Sequence, residues 1–167
     1  MQSIYDESNK ELPENFYEKR RERENDNQIC KLIRKDSIID FITYINQNDI
    51  QSKSIINPSI YETNLFLIKN QKVQLIEYAA FCGSIQIFNY LQNNGAELTP
   101  LLWLYAIHSN NAELIQILEE NKIIPKDATY EECFQIYTHN FYMMKKKIKK
   151  KFFTPHFIDQ SQRMPFL

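Results

Sequence analysis

At 167 residues, with 43% apolar and 13% aromatic side chains, the chain holds enough material for one domain with a real core. Its 20 basic and 21 acidic side chains leave a formal charge of -1, which argues against a body built as a whole to grip nucleic acid. Two glycines and six prolines suit helices joined by short turns and disfavour a many-stranded barrel.

Residues 1–24 are charge-dense and weakly apolar, and EKRRERE mixes both signs, so this stretch reads as a solvated arm, at most transiently helical. From Asn25 the pattern changes. Ile29, Leu32 and Ile33 share a helical face, Asp36 and Ser37 break it, and Ile38, Phe41, Ile42 and Ile45 resume the spacing. Two short helices back to back are expected. An insertion follows at 47–72, in which Asn57 can cap a short helix with Pro58 in its first position. A looped finger suits the same residues.

The helix-turn-helix pattern then returns. Ile76, Ala79 and Ala80 precede a Gly83, Ser84 turn, and Ile85, Ile87, Phe88 and Leu91 form a second stripe that ends at Asn94 and Gly95. Ala79 and Ala106, Gly83 and Asn110, Ile87 and Leu114, and Leu91 and Leu118 all lie 27 apart, so one register aligns both helices and the turn. Leu32, Asp36 and Phe41 lie 47 before Ala79, Gly83 and Phe88, which places the insertion inside the first unit. Thr99 and Pro100 are expected as cap and first-turn residue of LLWLYAIH, and Gly95 as the left-handed stop of the helix before it. DATYEECFQIY, from Asp127 to Tyr137, reads as the opening helix of a fourth unit, with Glu131 and Glu132 favoured by the dipole.

Beyond His139 the pattern fades into a lysine-rich tail, 142–167. Lys145, Lys146, Lys147, Lys149, Lys150 and Lys151 crowd into seven residues. They read as a nuclear-import patch, as a contact for nucleic acid or another anionic surface, or as an unconstrained lysine tract from AT-rich sequence. The apolar residues of TPHFIDQSQRMPFL suit a chain that stops before further repeats.

Cys30, Cys82 and Cys133 share no metal-binding spacing and read as reduced thiols, which implies an intracellular protein, cytoplasmic or nuclear. His108, His139 and His156 form no ligand set, no glycine-rich phosphate loop exists, and no segment reaches about 18 uninterrupted apolar residues. No catalytic residue, metal, cofactor, small-molecule substrate or transmembrane segment is expected. Trp103, Tyr78 and Tyr105 fall on inward positions, with the tyrosine hydroxyls at the edge.

IEYAAFCGSIQIFNYLQNNGAEL, LWLYAIHSNNAELIQILEENK and, in outline, ICKLIRKDSIIDFITYINQN resemble the ankyrin repeat. With SIYETNLFLIKN, they are similar to a divergent family of short ankyrin proteins expanded in unicellular eukaryotes. The resemblance spans about Asn25 to Tyr137. It implies an all-α, ankyrin-like solenoid of stacked antiparallel helix pairs, with three to four units in a repeat domain at 25–141. The usual period is about 33 residues, so a period of 27 implies shortened hairpin connectors. It also implies a non-enzymatic adaptor or scaffold whose partner is another protein, with contact positions directly after the Ala-Ala pair. In this chain those are Phe81 and Cys82, His108 and Ser109, and Arg34 and Lys35. The alternative function is a nuclear or anionic-surface tether acting through the lysine run.

Overall fold

The apolar triplets after Asn25 do form helices, and the helices come in pairs. The computed structural model describes residues 13–22, 24–64, 67–68 and 72–125. Its helices are α1 (Phe16–Glu22), α2 (Gln28–Arg34), α3 (Ile38–Gln47), α4 (Leu75–Cys82), α5 (Ile85–Asn93), α6 (Leu102–His108) and α7 (Ala112–Glu120). Among the described residues there is no strand, only a single antiparallel bridge between Ile55 and Gln74. The described chain is all-α. It falls into two compact units, Met1–Glu97 and Leu98–Leu167. The helix expected at Asp127 to Tyr137, Cys133, His139, His156 and the lysine run lie outside the described residues.

One device ends all six helices from α2 to α7. A residue with left-handed φ follows each: Asp36 at 49°, Asp49 at 52°, Gly83 at 75°, Gly95 at 86°, Asn110 at 51° and Lys122 at 56°. The next amide then reaches back into the last turn and satisfies a carbonyl that the helix leaves open. Ser37 donates to Leu32, Ile50 to Ile45, Ser84 to Ala79, Ala96 to Leu91, Asn111 to Ala106 and Ile123 to Leu118. The 27-residue spacing noted in the sequence joins Gly83 to Asn110 and also Gly95 to Lys122, so the backbone repeats where the residue types do not.

In the first unit α2 packs on α4 and α3 on α5, besides the contacts within each pair. Ile33, Phe41, Ile76, Ile87, Phe88 and Leu91 are fully buried. Ala79 and Ala80 are buried too, and their small side chains let α4 lie close to α2. The two pairs also exchange hydrogen bonds at their turns. Ser84 stands at the N-cap position of α5, yet its hydroxyl donates to the carbonyl of Ile33 in α2. The cap comes from Asp36 instead: Gln86 N–H donates to Oδ2 at 3.1 Å and Ile87 N–H to Oδ1 at 3.0 Å. A carboxylate on those first-turn amides also meets the favourable end of the helix dipole.

The described part of the insertion contains no helix at Asn57 and Pro58. Ile56 N–H donates to the Val73 carbonyl at 2.8 Å and Leu75 N–H to the Ser54 carbonyl at 3.1 Å, which ties its two ends together as a looped finger. The Asn57 carbonyl accepts from the side-chain amides of Asn25 at 3.0 Å and Asn27 at 2.9 Å. With its backbone engaged across 30 residues of sequence, Asn57 does not serve as a local cap.

In the second unit α6 and α7 are joined by a three-residue turn and pack together. Asn111 caps α7, its Oδ1 accepting from Glu113 N–H at 3.0 Å and Leu114 N–H at 3.3 Å. The expected Thr99 cap is absent. Helix α6 is entered through a tight turn, with Leu102 N–H on the Thr99 carbonyl and Trp103 N–H on that of Pro100, while the Thr99 hydroxyl is buried without a partner. Trp103 is inward as expected, and its indole N–H donates to the Ile123 carbonyl at 2.9 Å. The Tyr105 hydroxyl is buried and not at an edge.

Candidate functional site

The contact positions implied by the repeat register sit at helix C-termini. In the first unit the α2–α3 turn lies beside the α4–α5 turn, because the bonds of Ser84 and Asp36 hold them together. Arg34, Lys35, Phe81 and Cys82 therefore share one edge of this unit. His108 and Ser109 end α6 in the second unit.

These residues differ in how much they offer to solvent. Lys35 is exposed, whereas Phe81 and Cys82 are half-buried, with the Phe81 ring stacked on Tyr78 at a centroid distance of 6.2 Å. His108 and Ser109 are half-buried, and the Ser109 hydroxyl donates to the Ala106 carbonyl at 3.1 Å. Arg34 is heavily engaged. Its Nε pairs with the Glu24 carboxylate at 2.9 Å, and its Nη1 donates to the Asn25 carbonyl at 2.9 Å and to the Tyr78 hydroxyl at 2.8 Å.

Electrostatics fix the protonation states of this cluster. Burial opposes the Arg34 charge, but Tyr78 and Glu24 outweigh it and hold its pKa above the ordinary value. Burial pushes the Tyr78 hydroxyl upward, and Arg34 only partly offsets this. The Cys30 and Cys82 thiols are pushed up to about 12, again chiefly by burial. Both are therefore protonated near neutral pH, which makes them weak nucleophiles and weak metal ligands. Among the described residues no group of three or more His, Cys, Asp and Glu side chains gathers as a metal site.

No family description, curated protein or solved structure matches this chain. What can be said of the site thus rests on its own geometry.

That geometry includes a feature absent from the sequence reading. A cleft of about 350 Å³ opens in the first unit between the insertion and the Asn25–Tyr78 side of the helix pairs. Ile56, Pro58, Leu67 and Val73 give it apolar walls, with Glu62 and Lys72 among its polar groups. Its volume is at the small end of ligand pockets. Its sequence signal was faint: the run Asn25, Asp26, Asn27 marks a turn rich in side-chain acceptors and donors, but nothing local tells that Asn57 is the partner of the two asparagines and Ser59 that of Asp26. Tyr78 is inward as expected, but nothing in the sequence marks its hydroxyl as the partner of Arg34. Among the described residues no helix is long and apolar enough to cross a membrane.

Proposed function

We propose that this chain is a non-enzymatic, ankyrin-type protein-binding module, an adaptor or scaffold that works inside the cell, in the cytoplasm or nucleus. The carrying observation is the recurrence of one helix-ending geometry at Asp36, Gly83 and Asn110 and again at Asp49, Gly95 and Lys122. It supports reading the three helix pairs as copies of one unit, and stacked copies characteristically present a shallow, continuous surface to proteins. Two further observations favour binding over chemistry. The Cys82 thiol on the edge and the buried Cys30 thiol are held protonated near neutral pH, and Arg34 is committed to Glu24, Asn25 and Tyr78.

On this reading the exposed Lys35 and the half-buried Phe81, Cys82, His108 and Ser109 are the contact positions, and Arg34 shapes the edge from beneath. The test is quantitative affinity capture with the immobilised full chain, comparing wild type with Lys35→Glu, Phe81→Ala and His108→Ala. Lys35→Glu is the cleanest variant, since it changes exposed charge without touching the core. Specific partners are expected to fall about tenfold or more, as interface anchors typically cost over 1 kcal/mol. Equal recovery from all four proteins sinks the proposed contact positions.

A second reading rests on the six lysines between Lys145 and Lys151, which suit a nuclear or anionic-surface tether. Deleting them separates the two. Lost localisation with retained partner capture assigns the tail to addressing and the repeats to binding.

A further inference from the structure

Helix α1 buries none of its seven residues, yet it is pinned to the insertion. Arg20 Nη1 donates to the Ile60 carbonyl at 2.7 Å. The Lys19 ammonium lies 5.0 Å from the centre of the Tyr61 ring and 3.6 Å from the Asp26 carboxylate. The Phe16 ring meets Tyr61 at a centroid distance of 5.8 Å. Tyr61 is only 6% exposed although it stands in an irregular loop, so side chains of α1 provide part of its cover. Just beyond the helix, Asp26 accepts from the Ser59 hydroxyl at 2.8 Å, and Asn25 and Asn27 hold the Asn57 carbonyl.

The stretch so held is one wall of the cleft, to which Asn57, Pro58, Ser59 and Glu62 contribute. The arm and the cleft are thereby coupled. We propose that α1 is a detachable clasp on the Asn57–Glu62 wall, held mainly by the charges of Lys19 and Arg20 and released when those charges are screened. This inference does not depend on the protein-binding reading, because it concerns the state of the cleft in the free protein.

Three features argue for a clasp over a permanent part of the core. The contacts of Lys19 and Arg20 lie at the surface, where ionic attraction is reduced by salt, the Debye length falling from about 10 Å at 0.1 M to about 3 Å at 1 M. The α2–α4 and α3–α5 contacts, the Ser84 bond and the Asp36 cap make no use of α1, so the helix pairs keep their packing without it. Among the described residues, the backbone pairing that joins the two arms of the insertion is at its base, from Ser54 to Ile56 against Val73 to Leu75.

Hydrogen exchange with mass spectrometry on the full chain tests the proposal, using wild type, Phe16→Ala and the double variant Lys19→Gln, Arg20→Gln. Peptides covering residues 56–62 are expected to exchange about tenfold faster in both variants. The same acceleration is expected in wild type on moving from about 0.05 M to about 1 M sodium chloride, with α4 and α5 peptides unchanged in every case. Unchanged exchange at 56–62 overturns the clasp. So does equal acceleration across α4 and α5, which would make α1 an ordinary stabilising element. Acceleration by Phe16→Ala alone, with no response to salt or to the double variant, overturns the electrostatic release.

Discussion

Glu77 stands in the first turn of α4 as a buried carboxyl, and its Oε2 accepts from Gln74 N–H at 2.8 Å in a capping box. Burial raises its pKa, and the bond from Gln74 only partly pulls it back. A raised folded value means that the native state holds this proton more tightly than the unfolded chain does. The associated stability is fully present below the ordinary value of 4.5 and is lost as pH climbs through the folded value. Glu77→Gln keeps an acceptor for Gln74 and removes the titration. The variant should therefore melt at a higher temperature than wild type at pH 7, with the two curves converging below pH 4.5, as thermal unfolding across that range will reveal. A lower melting temperature at pH 7 would mean that the charge at the helix N-terminus outweighs its burial. At this scale the sequence is least informative. Arg34 was legible as a residue on the contact edge, but its partners lie 10 residues back at Glu24 and 44 ahead at Tyr78. Periodicity tells which face a residue occupies and not which hydroxyl stands opposite.

Helix ends are the level at which the repeat is most regular and the residue types least so. Gly95 and Lys122 occupy equivalent left-handed positions after α5 and α7. Space around Gly95 is open, with no atom within 4 Å of where a Cβ would stand, so substitution there meets only the conformational penalty. Gly95→Ala should lose about 1–2 kcal/mol, the usual penalty for a side chain in this region. Lys122→Gly should gain about 0.5 kcal/mol, because the relieved backbone is partly offset by the greater freedom of glycine in the unfolded chain. Urea unfolding of both variants, followed by circular dichroism and by Trp103 fluorescence for the second unit, checks the opposite signs. A loss on Lys122→Gly would contradict the account. The glycine stops were readable in advance because glycine advertises itself. Asp36 and Asn110 were legible as turn residues in register with Gly83 but not as left-handed positions, and Asp49 and Lys122 carried no signal, since each relies on the preceding helix to hold it where an L-residue seldom goes. The Thr99–Pro100 start failed for the opposite reason: a good local cap signal was overridden when the chain buried the threonine hydroxyl and entered α6 through a tighter turn.

Across the whole chain, the two helix pairs of the first unit carry their own cohesion, while the insertion is an addition between them. In the repeat register the segment Ala96 to Pro100 holds the equivalent place with five residues. Replacing Ile50–Val73 by Ala96–Pro100 should therefore leave a cooperative thermal transition and the helical signal of α2 to α5, because shortening a loop changes closure entropy by only about 0.6 kcal/mol per halving. The chimera would lose the cleft and the docking site of α1. Loss of the cooperative transition would show instead that the insertion is part of the core. The helical class and the paired elements were legible because apolar spacing and turn residues recur in step. The cleft was not, since it arises where Asn25 and Asn57 meet across 32 residues with no periodic mark on either.

The exchange between Ser84 and Asp36 has a consequence for how such a chain can grow. Each of the first two pairs meets a group that the other leaves open, and the carboxylate in this exchange stands just after α2. The equivalent positions hold Gly83, which has no side chain, and Asn110, which has no charge. A duplicated second pair placed after itself would find no acid waiting for its outer helix. Neighbours at this junction are thus not interchangeable bricks: the order of the first two is written in a single aspartate.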